Sequence, residues 1–250
     1  MLLILTMLPR CAAATNEFWF PVGEKLTYKL YWGIIPVGTS DLYSQWGEEN
    51  GKTCLVLRAT AKTGSFVAMI YPVDDFIESV VDPQTFLPVR YTQKLHEGRH
   101  VRDDTIIFDH KERKGYWKSG ITGATNTMDI LSDTRDVLCL TYYMRPKGTE
   151  IGAKEEFRVI VDDKLYVLGI TVLGREDIKT PGMGKTKCLK IEPQARFGGI
   201  FVRKGRVMTW FSDDEKRICT RMEGKVPLAN LKAILISVQG WEAKDETPND

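Results

Sequence analysis

The feature that most constrains this chain is an alternation of apolar and polar residues with a period of two, sustained through most of the sequence after residue 24. In "KLTYKLYWG", Leu26, Tyr28, Leu30 and Trp32 fall on one side of an extended chain, Thr27 and Lys29 on the other. Successive strand side chains point to opposite faces, so this pattern suits a half-buried sheet and would scatter the same residues around a helix. The mixture recurs in "CLVLRATAKT", "DDFIESVVD", "LPVRYTQKLHEG", "HVRDDTIIFD", "EFRVIVDDKLYVLGI", "GRVMTWFSDD", "RICTRMEGKVP" and "LKAILISVQGW", all rich in β-branched and aromatic residues. Turn chemistry separates these runs: Glu49-Asn50-Gly51, Asp82-Pro83, Glu97-Gly98, Asp162-Asp163, Pro181-Gly182 and Asp213-Asp214. About ten strands with short connections predict an all-β, mainly antiparallel fold, a curved sheet or partly open barrel.

One inserted helix is expected. "SDTRDVLCLTYYMRP" offers Ser132 as N-cap, places Val137, Leu140 and Met144 on one apolar stripe, and stops at Pro146. "GSFVAMIYP" fits either one or two helical turns or an apolar strand. With no linker rich in Gly, Ser or Pro, residues 15–240 read as a single β domain, followed by a charged tail, 241–250, expected to be disordered.

The apolar run Leu2 to Leu8, Pro9 and the small residues Ala12 to Ala14 resemble a secretory signal over residues 1–14, though no Lys or Arg precedes the run. The run is too short to span a membrane, and no transmembrane span is expected in the mature chain. Cleavage after Ala14 would leave Cys54, Cys139, Cys188 and Cys219, which fit either two disulfides or four separately buried thiols. A formal charge of +2 with interspersed signs lacks the basic stripe of a phosphate-tracking groove, which argues against a nucleic-acid partner.

Several motifs invite chemistry and yield to plainer readings. "PGMGKTKCLKI" ends like a phosphate-binding loop, but Lys179 stands where the first glycine is needed and a strand follows, so it reads as a hairpin turn. His96 and His100, four apart on a strand, sit ~13 Å apart along it, too far to share a metal unless a hairpin refolds them; with His110 they read as solvated polar-face residues, and no metal or cofactor is expected. The doublets Asp74-Asp75, Asp103-Asp104, Asp162-Asp163 and Asp213-Asp214 point their carboxylates to opposite faces, and no nucleophile elbow exists, so no catalytic residue is assigned.

The aromatic content is more telling. Tyr28, Leu30, Trp32, Phe66 and Met69 gather large apolar surface in the first third of the chain, and Gly38 falls inside a strand, where glycine weakens pairing unless something must come close. A curved sheet lined by these six residues could hold an apolar ligand; the competing reading is that they fill the core.

The blocks "GEKLTYKLYWGIIPVGTSDL", "PVDDFIESVVDPQTFLPVRY" with "EGR" and "IIFD" behind it, "DILSDTRDVLCLTYYMR" and "GRVMTWFSDDEKRICTRMEGKV" resemble, in order and spacing, the bacterial exported family catalogued as domain of unknown function 3108. The resemblance implies an envelope-located, mostly antiparallel β protein, and the "VDPQTFLPVRY" turn is similar to those of periplasmic lipoprotein carriers with half-open barrels. It carries over no catalytic residue. The expectation is an exported, non-catalytic protein of the periplasm or envelope that binds an apolar or amphipathic ligand, lipid or lipoprotein-like. A structural module contacting an envelope polymer or partner protein is the alternative.

Overall fold

The computed structural model describes residues 18–197, 200–201, 206–226 and 229–241. The expected signal segment, and the expected tail beyond Trp241, lie outside the described residues. The strands are β1 (Lys25–Trp32), β2 (Ile35–Glu49), β3 (Lys52–Thr63), β4 (Asp74–Asp82), β5 (Leu87–Glu97), β6 (His100–Asp109), β7 (Lys114–Ser119), β8 (Thr125–Asp129), β9 (Arg135–Asp136), β10 (Lys154–Val161), β11 (Lys164–Thr180), β12 (Gly184–Phe197), β13 (Ile200–Phe201), β14 (Arg206–Ser212), β15 (Cys219–Val226) and β16 (Ala229–Gln239). Two short helices interrupt them, α1 (Ser65–Ala68) and α2 (Val137–Tyr143).

Among the described residues, all sixteen strands belong to one sheet, in the order β8-β7-β6-β5-β4-β3-β2-β1-β16-β15-β14-β12-β11-β10-β9, with β13 paired to β12. The chain meanders outward from β1 to β8, restarts at the far edge with β9, and meanders back until β16 lies beside β1. Every pairing is antiparallel except β9 with β10. The mainly antiparallel reading is right and the strand number is corrected upward from about ten. "KGYWKS" and "TNTMD" form β7 and β8 with little apolar alternation, β9 and β13 are two residues each, and "EFRVIVDDKLYVLGI" splits in two around Asp162, whose φ is 57°. Strands whose partners supply the hydrogen bonds need little pattern of their own.

The sheet curls without closing. Ile160 of β10 packs against Tyr91, Ile106 and Phe108 of β5 and β6, so one edge tucks against the inner face of the opposite half. Asp162, at the β10–β11 turn, accepts from Arg102 Nη1 of β6 and from Gln93 Nε2 of β5 (3.5 Å) across that seam.

Helix α2 sits inside the curl. Its cap is Asp136, whose carboxylate accepts from the Cys139 amide at 2.8 Å, and not the expected Ser132. Residues 131–134 instead close a turn in which the Leu131 amide donates to Thr134 Oγ1, and Arg135 and Asp136 pair with Val159 and Ile160. The helix therefore starts later than its capping chemistry implied, because two residues were drawn into the sheet. Leu138, Cys139 and Tyr142 pack with Phe20, Leu55, Leu57, Val81 and Phe86. Leu140 and Met144 pack with Phe157, Val159, Ile170 and Leu189. The "GSFVAMIYP" segment forms the single turn of α1.

The meander leaves two unlike ends. At the base, Glu24 is wholly buried against Arg145, with Nη1–Oε1 2.6 Å and Nη2–Oε2 3.0 Å. Arg145 also donates to the carbonyls of Lys216 and Arg217, and Trp241 Nε1 donates to Glu24 Oε2 at 2.6 Å. This pair ties the first strand, the end of α2, the β14–β15 turn and Trp241 into one knot. At the other end, the rim, stand the β1–β2, β5–β6 and β10–β11 turns and the α1 connection. No described helix is long and apolar enough to cross a membrane.

Candidate functional site

Residues directly opposite on paired strands share a face, so the registers identify the inner surface of the curl. Near the base that surface is filled: Leu26, Leu55, Leu57, Val81, Leu189 and Leu235 are all buried. Toward the rim it carries Ser40, Ala59, Ala61 and Thr63, small and only half-buried, together with exposed Trp32, Val207 and Leu231. The plug of α2 and the Phe18–Phe20 segment thus fills one half of the interior and leaves the other open.

Between the plug and the strands β10 and β11 is a cavity of about 260 Å³ lined by Val137, Leu140, Thr141, Met144, Val159, Val161, Tyr166 and Leu168. Its helical wall is the free side of α2. Val137 and Thr141, one turn apart, face it because the other sides of the helix are committed to packing. Its sheet wall is the odd-numbered face of β10 with the residues opposite on β11, Val159 against Tyr166 and Phe157 against Leu168. Thr141 Oγ1 is spent on the Val137 carbonyl at 2.8 Å, so the lining is almost wholly apolar. A site below the ~300–1,000 Å³ usual for small molecules suits one hydrocarbon tail better than a whole lipid.

The six residues expected to line a site are dispersed. Tyr28 is fully buried in the core, where its hydroxyl donates to the Cys219 carbonyl at 2.9 Å. Leu30 is half-buried beside Leu26, Ala233 and Leu235. Gly38 faces Lys62 of β3, whose carbonyl oxygen a Cβ would strike, so what comes close there is a neighbouring strand. Trp32, Phe66 and Met69 stand exposed on the rim, at 46%, 75% and 75% of their surface. The cavity's own lining was visible in the sequence only as the Val137, Leu140 and Met144 stripe and the two strands around Asp162, all of which read equally well as core.

The titratable groups describe a protein built for burial. Cys54, Cys139, Cys188 and Cys219 are four separate buried thiols, and burial pushes each thiol pKa up, away from reactivity. Burial also raises the Asp136 carboxyl to about 6, against the hydrogen bonds from Ser79 and the Cys139 amide. Asp104 is buried and accepts from Gln93 Nε2 at 3.1 Å, while its neighbour Asp103 points away toward Gly120. The β5–β6 hairpin sets His96 opposite Val101 and His100 opposite Glu97, so the two imidazoles fall on opposite faces. Among the described residues, no three His, Cys, Asp or Glu side chains are placed to hold a metal. Acid–base chemistry has no paired groups in the cavity; what the arrangement can do is exclude water from an apolar guest.

Comparison with known proteins places this fold among others without an assigned role. A β-barrel-like protein of domain of unknown function DUF1849 from Brucella abortus is similar over 89% of this chain and 99% of its own, at 12% identity and a TM-score of 0.59. A DUF1089 family protein from Pseudomonas aeruginosa aligns over 76% of this chain and 90% of its own, at 14% identity and a TM-score of 0.35. No curated protein matches the chain. The family model for proteins of unknown function DUF3108 matches residues 27–236, from β1 through β16, and the chain belongs to that family.

Proposed function

We propose that this protein is a non-catalytic binding protein of the bacterial envelope that shelters the apolar part of a lipid or other amphipathic ligand. The observation that carries the reading is the apolar cavity of about 260 Å³ between α2 and β10–β11. Burying a hydrocarbon tail there gains ~0.8 kcal/mol per methylene. Export rests on the signal-like segment at residues 1–14.

The test is a displacement assay with a fluorescent fatty acid, paired with mass spectrometry of organic extracts from natively purified protein. Val161→Trp places a large ring at the cavity's exposed edge and should weaken probe binding about tenfold, while leaving the melting temperature within a few degrees. Equal probe binding by wild type and variant, with no lipid in the extracts, sinks the reading.

A further inference from the structure

The two sides of the cavity's opening are held very differently. That opening lies between Val137 and Val161, 44% and 38% exposed, while Leu140, Met144 and Val159 of the same lining are buried. β9 and β10 pair only at Arg135 with Val159 and Asp136 with Ile160; the next step carries Val137 into α2 and Val161 toward the β10–β11 turn. The α2 side is fixed, because the helix packs into two clusters of the core. The hairpin side has no such support: β11 meets β12 only from Val167 onward, so residues 161–165 have no strand partner outside their own hairpin among the described residues.

We propose that the tip of this hairpin is a flap over the cavity, latched across the seam of the curl by the Arg102–Asp162 ion pair; what the flap admits rests on the binding reading above. The receiving side of the latch is built in advance on β5 and β6. Tyr91 Oη donates to Gln93 Oε1 at 3.2 Å, Gln93 Nε2 donates to buried Asp104 at 3.1 Å, and Arg102 Nε donates to His100 Nε2 at 3.1 Å. Held in this way, Arg102 Nη1 and Gln93 Nε2 both reach Asp162, which occupies the left-handed position of the turn. Ile160 and Leu165, opposite each other in the hairpin, press into the cluster of Tyr91, Ile106 and Phe108 and face away from the Val159 and Val161 side that lines the cavity. The tip is thus clasped on one face and borders the hollow with the other, so shifting it widens the opening without disturbing α2. Arg102 and Asp162 are 34% and 42% exposed, and ion pairs this open to water hold loosely. Such a pair can release and re-form while the rest stays folded, as lids over binding sites do. At the base, the wholly buried Glu24–Arg145 pair makes the same movement costly.

Asp162→Asn keeps a residue that tolerates the left-handed turn, Arg102→Gln leaves the turn untouched, and neither position lines the cavity. Hydrogen–deuterium exchange of the full-length chain, followed by mass spectrometry, reads the latch without any ligand. Peptides covering residues 159–168 should exchange about fivefold faster in each variant, and the double variant no faster than either. Exchange in β3 and α2, and the urea midpoint, should stay as in wild type. Stopped-flow mixing with the fluorescent fatty acid then reads the flap: its association and dissociation rates should both rise about fivefold, leaving the affinity within about twofold. Exchange at residues 159–168 equal to wild type overturns the latch, and so does an acceleration spread over the whole chain, the mark of a merely structural ion pair. Faster local exchange with unchanged probe rates overturns the flap's role as a gate. Wild type that takes up no probe sinks the binding reading instead, and the exchange comparison still decides whether the tip is latched.

Discussion

Two buried charged sites govern stability at the level of single residues. Asp136 is needed as the cap of α2, yet burial holds its carboxyl at about 6, above the 3.8 of an exposed aspartate. The folded protein therefore binds this proton more readily than the unfolded chain. Its contribution is fully present below about pH 4 and is lost as pH rises through about 6, by at most ~3 kcal/mol. Asp136→Asn keeps an acceptor for the Cys139 amide and cannot titrate, so its stability relative to wild type should improve between pH 4 and pH 7, read from urea midpoints at each pH. A constant difference would show that Asp136 does not titrate there. Glu24 and Arg145 behave differently, because each is buried with the other as its counter-ion. Glu24→Gln leaves a buried guanidinium without its charge partner and should cost ~3–5 kcal/mol in urea unfolding, whereas Glu24→Met with Arg145→Met should recover much of that loss. Neither site announces itself in the sequence. Glu24 lies in an ordinary strand-leading "GEKL", and Arg145 lies 121 residues away beside a helix-ending proline.

At the level of elements, strands and turns follow closely from local chemistry. "DDFIESVVD" and "HVRDDTIIFD" are β4 and β6 residue for residue, and Asn50-Gly51 turns with both φ angles positive, as its composition requires. Legibility fails where an element's form depends on a distant partner. The capping signal at Ser132 was sound local chemistry, overridden because Arg135 and Asp136 found hydrogen bonds on β10. Gly38 is the instructive middle case: the strand register demanded that something approach it closely, and only the fold shows that this is the Lys62 carbonyl across the β2–β3 ladder. Gly38→Val should force the two strands apart and cost about 3 kcal/mol or more, because main chain cannot yield as a side-chain tip can. An unchanged urea midpoint would mean that β3 shifts freely there.

For the whole molecule, the decisive pairing is β1 with β16, which joins Lys25 to Gln239 and makes one sheet of two meanders. Leu235, on β16, is fully buried against Tyr28 and Ile218, so the last strand belongs to the core. A chain truncated before Ala229 should therefore show no cooperative thermal transition by circular dichroism, since β1 and β15 would both face water along their open edges. A cooperative melt from that fragment would mean that the outward meander folds alone. The candidate site belongs to this scale as well. By itself the sequence determined that the chain is strand after strand, where most turns fall, and which residues alternate inward, because those depend on steric preferences within a few residues. Only the tertiary structure decided that β9 returns to the far edge, that α2 and Phe18–Phe20 fill the base, that an apolar hollow remains between α2 and β10–β11, and that Ile34, Phe66, Met69 and Ile70 stand exposed. The reason is physical: the same period-two pattern satisfies a filled curl and a hollow one, and the choice lies with packing between residues far apart in the chain.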